Sequence, residues 1–243
     1  MRINYHEHAF QVSEPLKGDE LDKIENSIRE FKDLYTSGFE GYVDATPLFL
    51  GRNIEGLTKL IEQTKLKVYP VTGFHHSGHY MKALREQIIN KGIDFWVEKI
   101  SSEIKLGMAY DEGSYLNGNE INRSSIKAKV LKIGLQKNYS DFEIFTLNVI
   151  NTVYKSNPIA IKVHLDGNCD QIEVSNRLIG LGFDPINVVL AHADRNINYE
   201  VFYDLIGKGS LIYHFVKEKE SNWELIGNHY VAGPNLKLFF RKK

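Results

Sequence analysis

The chain has 243 residues, is 42% hydrophobic, and balances 30 basic against 31 acidic side chains for a formal net charge of −1. No basic stripe stands out, so nucleic acid is not an expected partner. Apolar runs such as Ile186 to Ala191 break too soon to span a bilayer, so no membrane segment is expected. The first twenty residues carry charges, His6 and His8 instead of an apolar signal core, and the single cysteine, Cys169, cannot form an internal disulfide. Both features fit a cytoplasmic protein. With no repeat and no linker, residues 1–243 read as one domain, about the size of a single α/β barrel.

In chain order, the sequence predicts strands at Arg2–Tyr5, Gly41–Ala45, Lys67–Val71, Lys127–Ile133, Ile159–Val163, Asn187–Ala191, Ser210–Phe215 and Leu236–Phe240. Helical patterns fall between them. Ile54, Leu57, Leu60 and Ile61 repeat at helical spacing after Asn53. Between the third and fourth strands, helical segments lie around Met81–Ile89 and Asp94–Ile104, followed by a polar loop through Asn122. Ser140 with Glu143 makes a capping box ahead of the apolar stripe Phe142, Phe145, Val149 and Val153. Asp170 with Glu173 opens the next helix, which ends near Gly182. Strands alternating with helices predict an α/β fold, a (β/α)8 TIM-type barrel. The sequence stops shortly after Phe240, so the expected barrel is truncated after strand eight and its C-terminal helix is missing. Such a barrel would expose apolar outer faces, which favours a homodimer or poor solubility as a monomer.

Catalytic residues of such barrels sit at the C-terminal ends of strands. Strand one ends in His6-Glu7-His8, and alternation puts Asn4, His6 and His8 on one face with Tyr5 and Glu7 on the other. Two imidazoles so placed can converge on one metal, although a bare H-x-H pair is common and is as easily two surface histidines. Lys132 shares a face with Ala128 and Val130 at the end of strand four. A lysine on an apolar face needs a partner. It either snorkels to the barrel mouth or is neutralised, for instance as a carbamate between two cations. His164 ends strand five and His192 ends strand six, again at equivalent positions. Each alone is weak; the set is specific, and its donors suit zinc or a similar ion.

The order of these motifs resembles the phosphotriesterase family of the amidohydrolase superfamily. The pieces that carry the likeness are His6-Glu7-His8, Val43-Asp44-Ala45-Thr46-Pro47 with Gly51-Arg52-Asn53, Val71-Thr72-Gly73-Phe74, Leu131-Lys132-Ile133-Gly134, and Val189-Leu190-Ala191-His192-Ala193-Asp194-Arg195-Asn196. They run from about residue 3 to about 215 and are weakest between 75 and 125. The resemblance implies two divalent metals, zinc foremost, with manganese, cobalt and iron as alternatives. His6 and His8 would bind the more buried metal, His164 and His192 the more exposed one, and Lys132, carboxylated, would bridge them. A hydroxide between the metals would attack a small lactone, carboxylic ester or phosphoester. No catalytic residue is assigned beyond these metal ligands, and no other cofactor is implied.

Two departures from the family pattern stand out. His75 and His76 follow the Thr72-Gly73-Phe74 turn where the family often has a tyrosine. The family's strand-eight aspartate has no counterpart, because no Asp follows Asp204. That absence leaves an alternative, a catalytically impaired metal-binding relative. A nuclease barrel of the TatD type would also begin with H-x-H, but it would place a glutamate where Lys132 stands. Of the remaining histidines, His75, His76, His79, His214 and His229 are most simply surface or loop residues, with His75 and His76 the two that could line the pocket. Glu7 reads as structural, Asp166 and Asp194 as loop caps or supporting partners, and Cys169 as a packing residue.

Overall fold

The computed structural model describes residues 3–13, 15, 20–166, 169–184 and 187–192, and beyond them only the strands at 211–214, 223–225, 230–231 and 240–242. Seven parallel strands follow one another in sequence order across the sheet. They are β1 (Ile3–Glu7), β2 (Gly41–Asp44), β3 (Lys67–Gly73), β4 (Val130–Leu135), β5 (Ile161–Leu165), β6 (Val188–Ala191) and β7 (Leu211–His214). The helices among the described residues are α1 (Ile24–Thr36), α2 (Ile54–Thr64), α3 (Lys82–Asn90), α4 (Ile93–Lys105), the single turn α5 (Ser114–Asn117), α6 (Asp141–Ser156) and α7 (Gln171–Gly180). From β1 to β6, parallel neighbours joined by helical crossovers make an α/β wall of the barrel type.

Local chemistry sets the element ends. The Asn53 side chain accepts the Gly56 N–H at 2.7 Å and opens α2, which closes on Lys65 in the left-handed region at φ 61°. The capping box of Ser140 and Glu143 opens α6 as the sequence predicts. The Glu173 N–H donates to Asp170 at 3.1 Å and starts α7. Two glycines bring β3 and β4 close together. Gly73 has φ +127°, and a Cβ there would lie 2.1 Å from the Lys132 carbonyl oxygen. At Gly134 a Cβ would come within 2.2 Å of the His76 nitrogen. Only residues without a side chain let the loop after β3 lie against β4 at the level of Lys132.

The larger core lies between the sheet and α3, α4, α6 and α7, around Trp96, Ile100, Val149, Ile150, Val153 and Leu178. Val43, Val71 and Val130 form a separate small cluster with Ile3, Tyr5 and Tyr69. Val130 shares a strand face with Lys132, so this cluster lies beneath the candidate site.

Two expectations change. Strict alternation in β1 fails, because its pairing with β2 shifts between Asn4 and Glu7. The Asn4 amide donates to the Glu7 carboxylate, so these two side chains meet instead of lying on opposite faces. One extra residue in a strand produces this kind of twist. The sheet also does not continue into an eighth parallel strand among the described residues. The eighth position is taken by β9 (Tyr230–Val231), antiparallel to β7, and the short strands β8 (Trp223–Leu225) and β10 (Phe240–Lys242) pair with each other separately. The predicted strand Leu236–Phe240 lies outside the described residues except for Phe240.

Candidate metal centre

His6, His8, Lys132, His164 and His192 come from four separate strands and gather at one end of the sheet. The rings of His6 and His192 are 4.7 Å apart between centroids, and those of His164 and His192 are 4.5 Å apart. His192, the residue after β6, has φ 62°, a left-handed conformation that is uncommon for a residue with a side chain and that clusters at functional sites.

The Nε2 atoms of His6 and His8 face each other at 3.3 Å. The other ring nitrogen of His8 explains which species is present. Its Nδ1 lies 2.8 Å from the Thr46 hydroxyl, and that hydroxyl donates to the Phe10 carbonyl at 2.8 Å. Thr46 has one proton, so the His8 Nδ1–H must donate to it, leaving a lone pair on His8 Nε2. Tetrahedral zinc with Zn–N bonds of ~2.05 Å separates its ligand atoms by roughly 3.3 Å. The pair therefore fits a metal ion. Burial, followed by the nearby lysines and other histidines, holds His6 and His8 well below the ordinary histidine range. Burial and Lys132 do the same for His164. All three rings are neutral at neutral pH, which is the form that binds a cation.

Lys132 is fully buried, and among the described residues its Nζ has no hydrogen-bond partner. Burial alone brings its pKa down to about 7. Beside it in register stands Lys162, also fully buried, whose ammonium donates to the Tyr5 carbonyl of β1. Burial, then the Lys132 charge, pushes Lys162 well below the ordinary lysine range, against the pull of Glu7. The sequence contained this residue's signal, because Lys162 shares the inward face with His164.

The loop after β3 adds a group that the sequence suggests most simply as surface or loop residues, with His75 and His76 able to line the pocket. His75 and His76 are buried, at 4% and 8% exposure, and His79 is half-buried. One ring nitrogen from each of His75, His76, His79 and His164 lies within 4.8 Å of the other three. Three histidines within six residues of a strand's C-terminal end were the available signal. Cys169 is buried, its thiol donates to the Leu135 carbonyl, and burial pushes its pKa up to about 11, as fits a packing residue.

The phosphotriesterase family profile matches residues 3–217. The chain belongs to the phosphotriesterase family. It is 27% identical over 198 residues to a protein of Mycoplasmopsis agalactiae named phospho-furanose lactonase, covering 79% of this chain and 55% of that protein. The chain thus spans about half the length of this curated relative. Among solved structures, an amidohydrolase from Mycoplasma synoviae has a TM-score of 0.77 at 23% identity, covering 89% of this chain and 63% of the other. A phosphotriesterase homology protein from Escherichia coli has a TM-score of 0.71 at 19% identity, covering 85% and 67%. These structural likenesses establish the fold.

Proposed function

We propose that this chain is a metal-dependent hydrolase that opens a lactone or related ester, using two divalent cations, zinc foremost. His6 and His8 would hold the first cation and His164 and His192 the second, and Lys132, as a carbamate, would supply oxygen donors to both. The observation that carries this reading is the 3.3 Å approach of the His6 and His8 Nε2 atoms, with His8 held by Thr46 in the tautomer that ligates. That separation is the one that two ligand atoms of a tetrahedral zinc would have, and His8 presents a lone pair to it.

When bound, the cations would lower the pKa of water and polarise the carbonyl under attack. The chain's own residues prepare that chemistry. Burial keeps the imidazoles neutral, so no proton has to leave before a cation binds. Burial also leaves much of Lys132 as free amine near neutral pH, the form that combines with carbon dioxide. The name of the Mycoplasmopsis agalactiae relative suggests a phosphorylated furanose lactone as substrate. A small-molecule substrate and a cytoplasmic setting fit the charge balance and the single cysteine. No described helix is long and apolar enough to cross a membrane.

The test is metal content with turnover. Purified, zinc-supplemented chain should carry about two metals and hydrolyse a phosphorylated γ-lactone. A chelator, or His192→Ala, should abolish hydrolysis. Metal without turnover would identify the impaired relative instead. Less than about half a metal per chain would end both readings.

A further inference from the structure

We propose that His75 and His76 form a pair of hydrogen-bond donors for an anionic oxygen group on the substrate, in the first instance a phosphate monoester, bound beside His164. The inference deepens the hydrolase reading, on which it rests for the molecule that carries the anion.

Both tautomers follow from hydrogen bonds that backbone groups make. The His76 N–H donates to Nδ1 of His75 at 2.9 Å. The Gly78 N–H donates to Nδ1 of His76 at 3.2 Å, with the Gln136 amide nitrogen 2.9 Å from the same atom. A backbone N–H can only give a proton, so each Nδ1 offers its lone pair. The proton of each neutral ring therefore sits on Nε2. Among the described residues no hydrogen bond reaches Nε2 of either ring. The two rings lie 4.1 and 5.5 Å from the His164 ring, between centroids. Two N–H donors thus stand next to a candidate metal ligand without an acceptor.

The four-histidine group has the composition of a metal site, but these tautomers oppose a cation. A metal at Nε2 needs a lone pair there, and both rings present a proton instead. An anionic oxygen is the complementary partner, and bonds from N–H to a charged oxygen are the strong kind. The donors are also held in place. The His75 N–H donates to the Tyr80 hydroxyl at 2.8 Å, and that hydroxyl donates to the Leu48 carbonyl at 3.0 Å. After burial, the groups acting most strongly on His75 are His164, Lys132, His79 and His76, all bases. His76 also faces Asp166 and Glu143, and Glu143 already accepts the N–H of Ser77 and both donors of Ser140.

The experiment has two arms on zinc-loaded chain. The first follows the imidazole protons by nitrogen-15 NMR, assigned with His75→Asn and His76→Asn. Both rings should read as Nε2–H, and inorganic phosphate should move both protons downfield. Rings found as Nδ1–H, phosphate binding that leaves these protons unmoved, or a third equivalent of zinc displacing them would overturn the proposal. The second compares a γ-lactone bearing a phosphate monoester with the same lactone bearing a free hydroxyl. Preference for the phosphorylated form, as a ratio of kcat/KM, should collapse by roughly 10- to 100-fold in His75→Leu or His76→Leu, the loss expected for one charge-assisted hydrogen bond. His75→Gln or His76→Gln should restore part of it. Equal losses on both lactones would assign these residues a structural role only. Absence of turnover on both would count against the hydrolase, and the NMR arm, which needs no turnover, would still decide the anion site.

Discussion

His8 Nδ1 and the Thr46 hydroxyl are 2.8 Å apart, and the direction of that hydrogen bond sets the chemistry of the other side of the ring. Because Thr46 spends its proton on the Phe10 carbonyl, His8 is the donor and its Nε2 faces His6 as a lone pair. A residue on the loop after β2 thereby prepares a ligand on β1.

Thr46→Val should lower zinc affinity by roughly 10- to 100-fold, the range for losing an outer partner of a metal-bound histidine. Competition with a chromogenic chelator would measure it. Thr46→Ser should keep most of the affinity, since the hydroxyl is retained. Unchanged affinity in Thr46→Val would mean that the tautomer of His8 is fixed in some other way.

Lys132 gives a pH signature. Its amine is neutral above its pKa, which burial brings down to about 7. Only the neutral amine forms a carbamate, so metal uptake in bicarbonate buffer should rise from pH 6 to pH 8 and then level off. Native mass spectrometry should show one added carbon dioxide per chain in the loaded form. Lys132→Met should show neither the added mass nor the pH dependence. A pH-independent uptake by the unmodified chain would separate metal binding from carbamate formation.

The sequence already contained much of this site. The strand ends at β1, β4, β5 and β6 were legible because period-two alternation and the barrel rule both act locally. The shift in β1 was not legible, because a bulge depends on how β1 pairs with β2 and not on its own residues. Lys132 and Lys162 obey the same alternation, and Lys132 stands out because it lies near the end of its strand on a face with Ala128 and Val130. His75 and His76 read as loop residues because no periodicity marks them. Their burial comes from distant groups: Gly134 lets β4 come close, and Tyr80 clamps the His75 backbone. The strand predicted at Leu236–Phe240 lies outside the described residues except for Phe240, and a short apolar run specifies a strand but not its partner.

Asp44 should make the fold less stable as pH rises. It is 4% exposed, and burial raises its carboxyl from 3.8 to about 7 despite hydrogen bonds from Thr46 and Ala9 and the Arg52 charge. Between these two values the folded state holds a proton that the unfolded state has lost. Stability therefore falls with rising pH across that window, by at most about 1.4 kcal/mol per unit. Asp44→Asn removes the titration. Measured on metal-free chain, the melting temperature of Asp44→Asn relative to the unmodified protein should rise steadily from about pH 4 to pH 7 and be flat above. A constant difference across the series would show that Asp44 does not titrate in that window.

Glu103 should have the opposite pH sign. It is fully buried and takes two bonds of 2.8 Å from the Arg52 guanidinium, one of 2.6 Å from Thr72 and one of 2.9 Å from Tyr115. Burial alone would raise its carboxyl, but Arg52 and these hydroxyls outweigh burial and hold it below the ordinary range. Arg52 keeps a second partner, Glu112, at 3.1 Å. Glu103→Gln should therefore destabilise the chain by about 3 kcal/mol, toward the lower end for breaking a buried pair. The wild-type advantage is present above the ordinary carboxylate pKa and is lost as pH falls through the depressed folded value. Chemical denaturation at pH 7 and at pH 3 should show the two proteins well separated at pH 7 and closer together at pH 3. The network ties α4 to the β2 loop and, through Thr72, to the residue before Gly73. Loosening it should therefore also weaken phosphate binding at His75 and His76 more than zinc binding at His6 and His8, which hang from β1. If zinc affinity fell first, the strain would be reaching β1, and the separation drawn between the two halves of the site would be wrong.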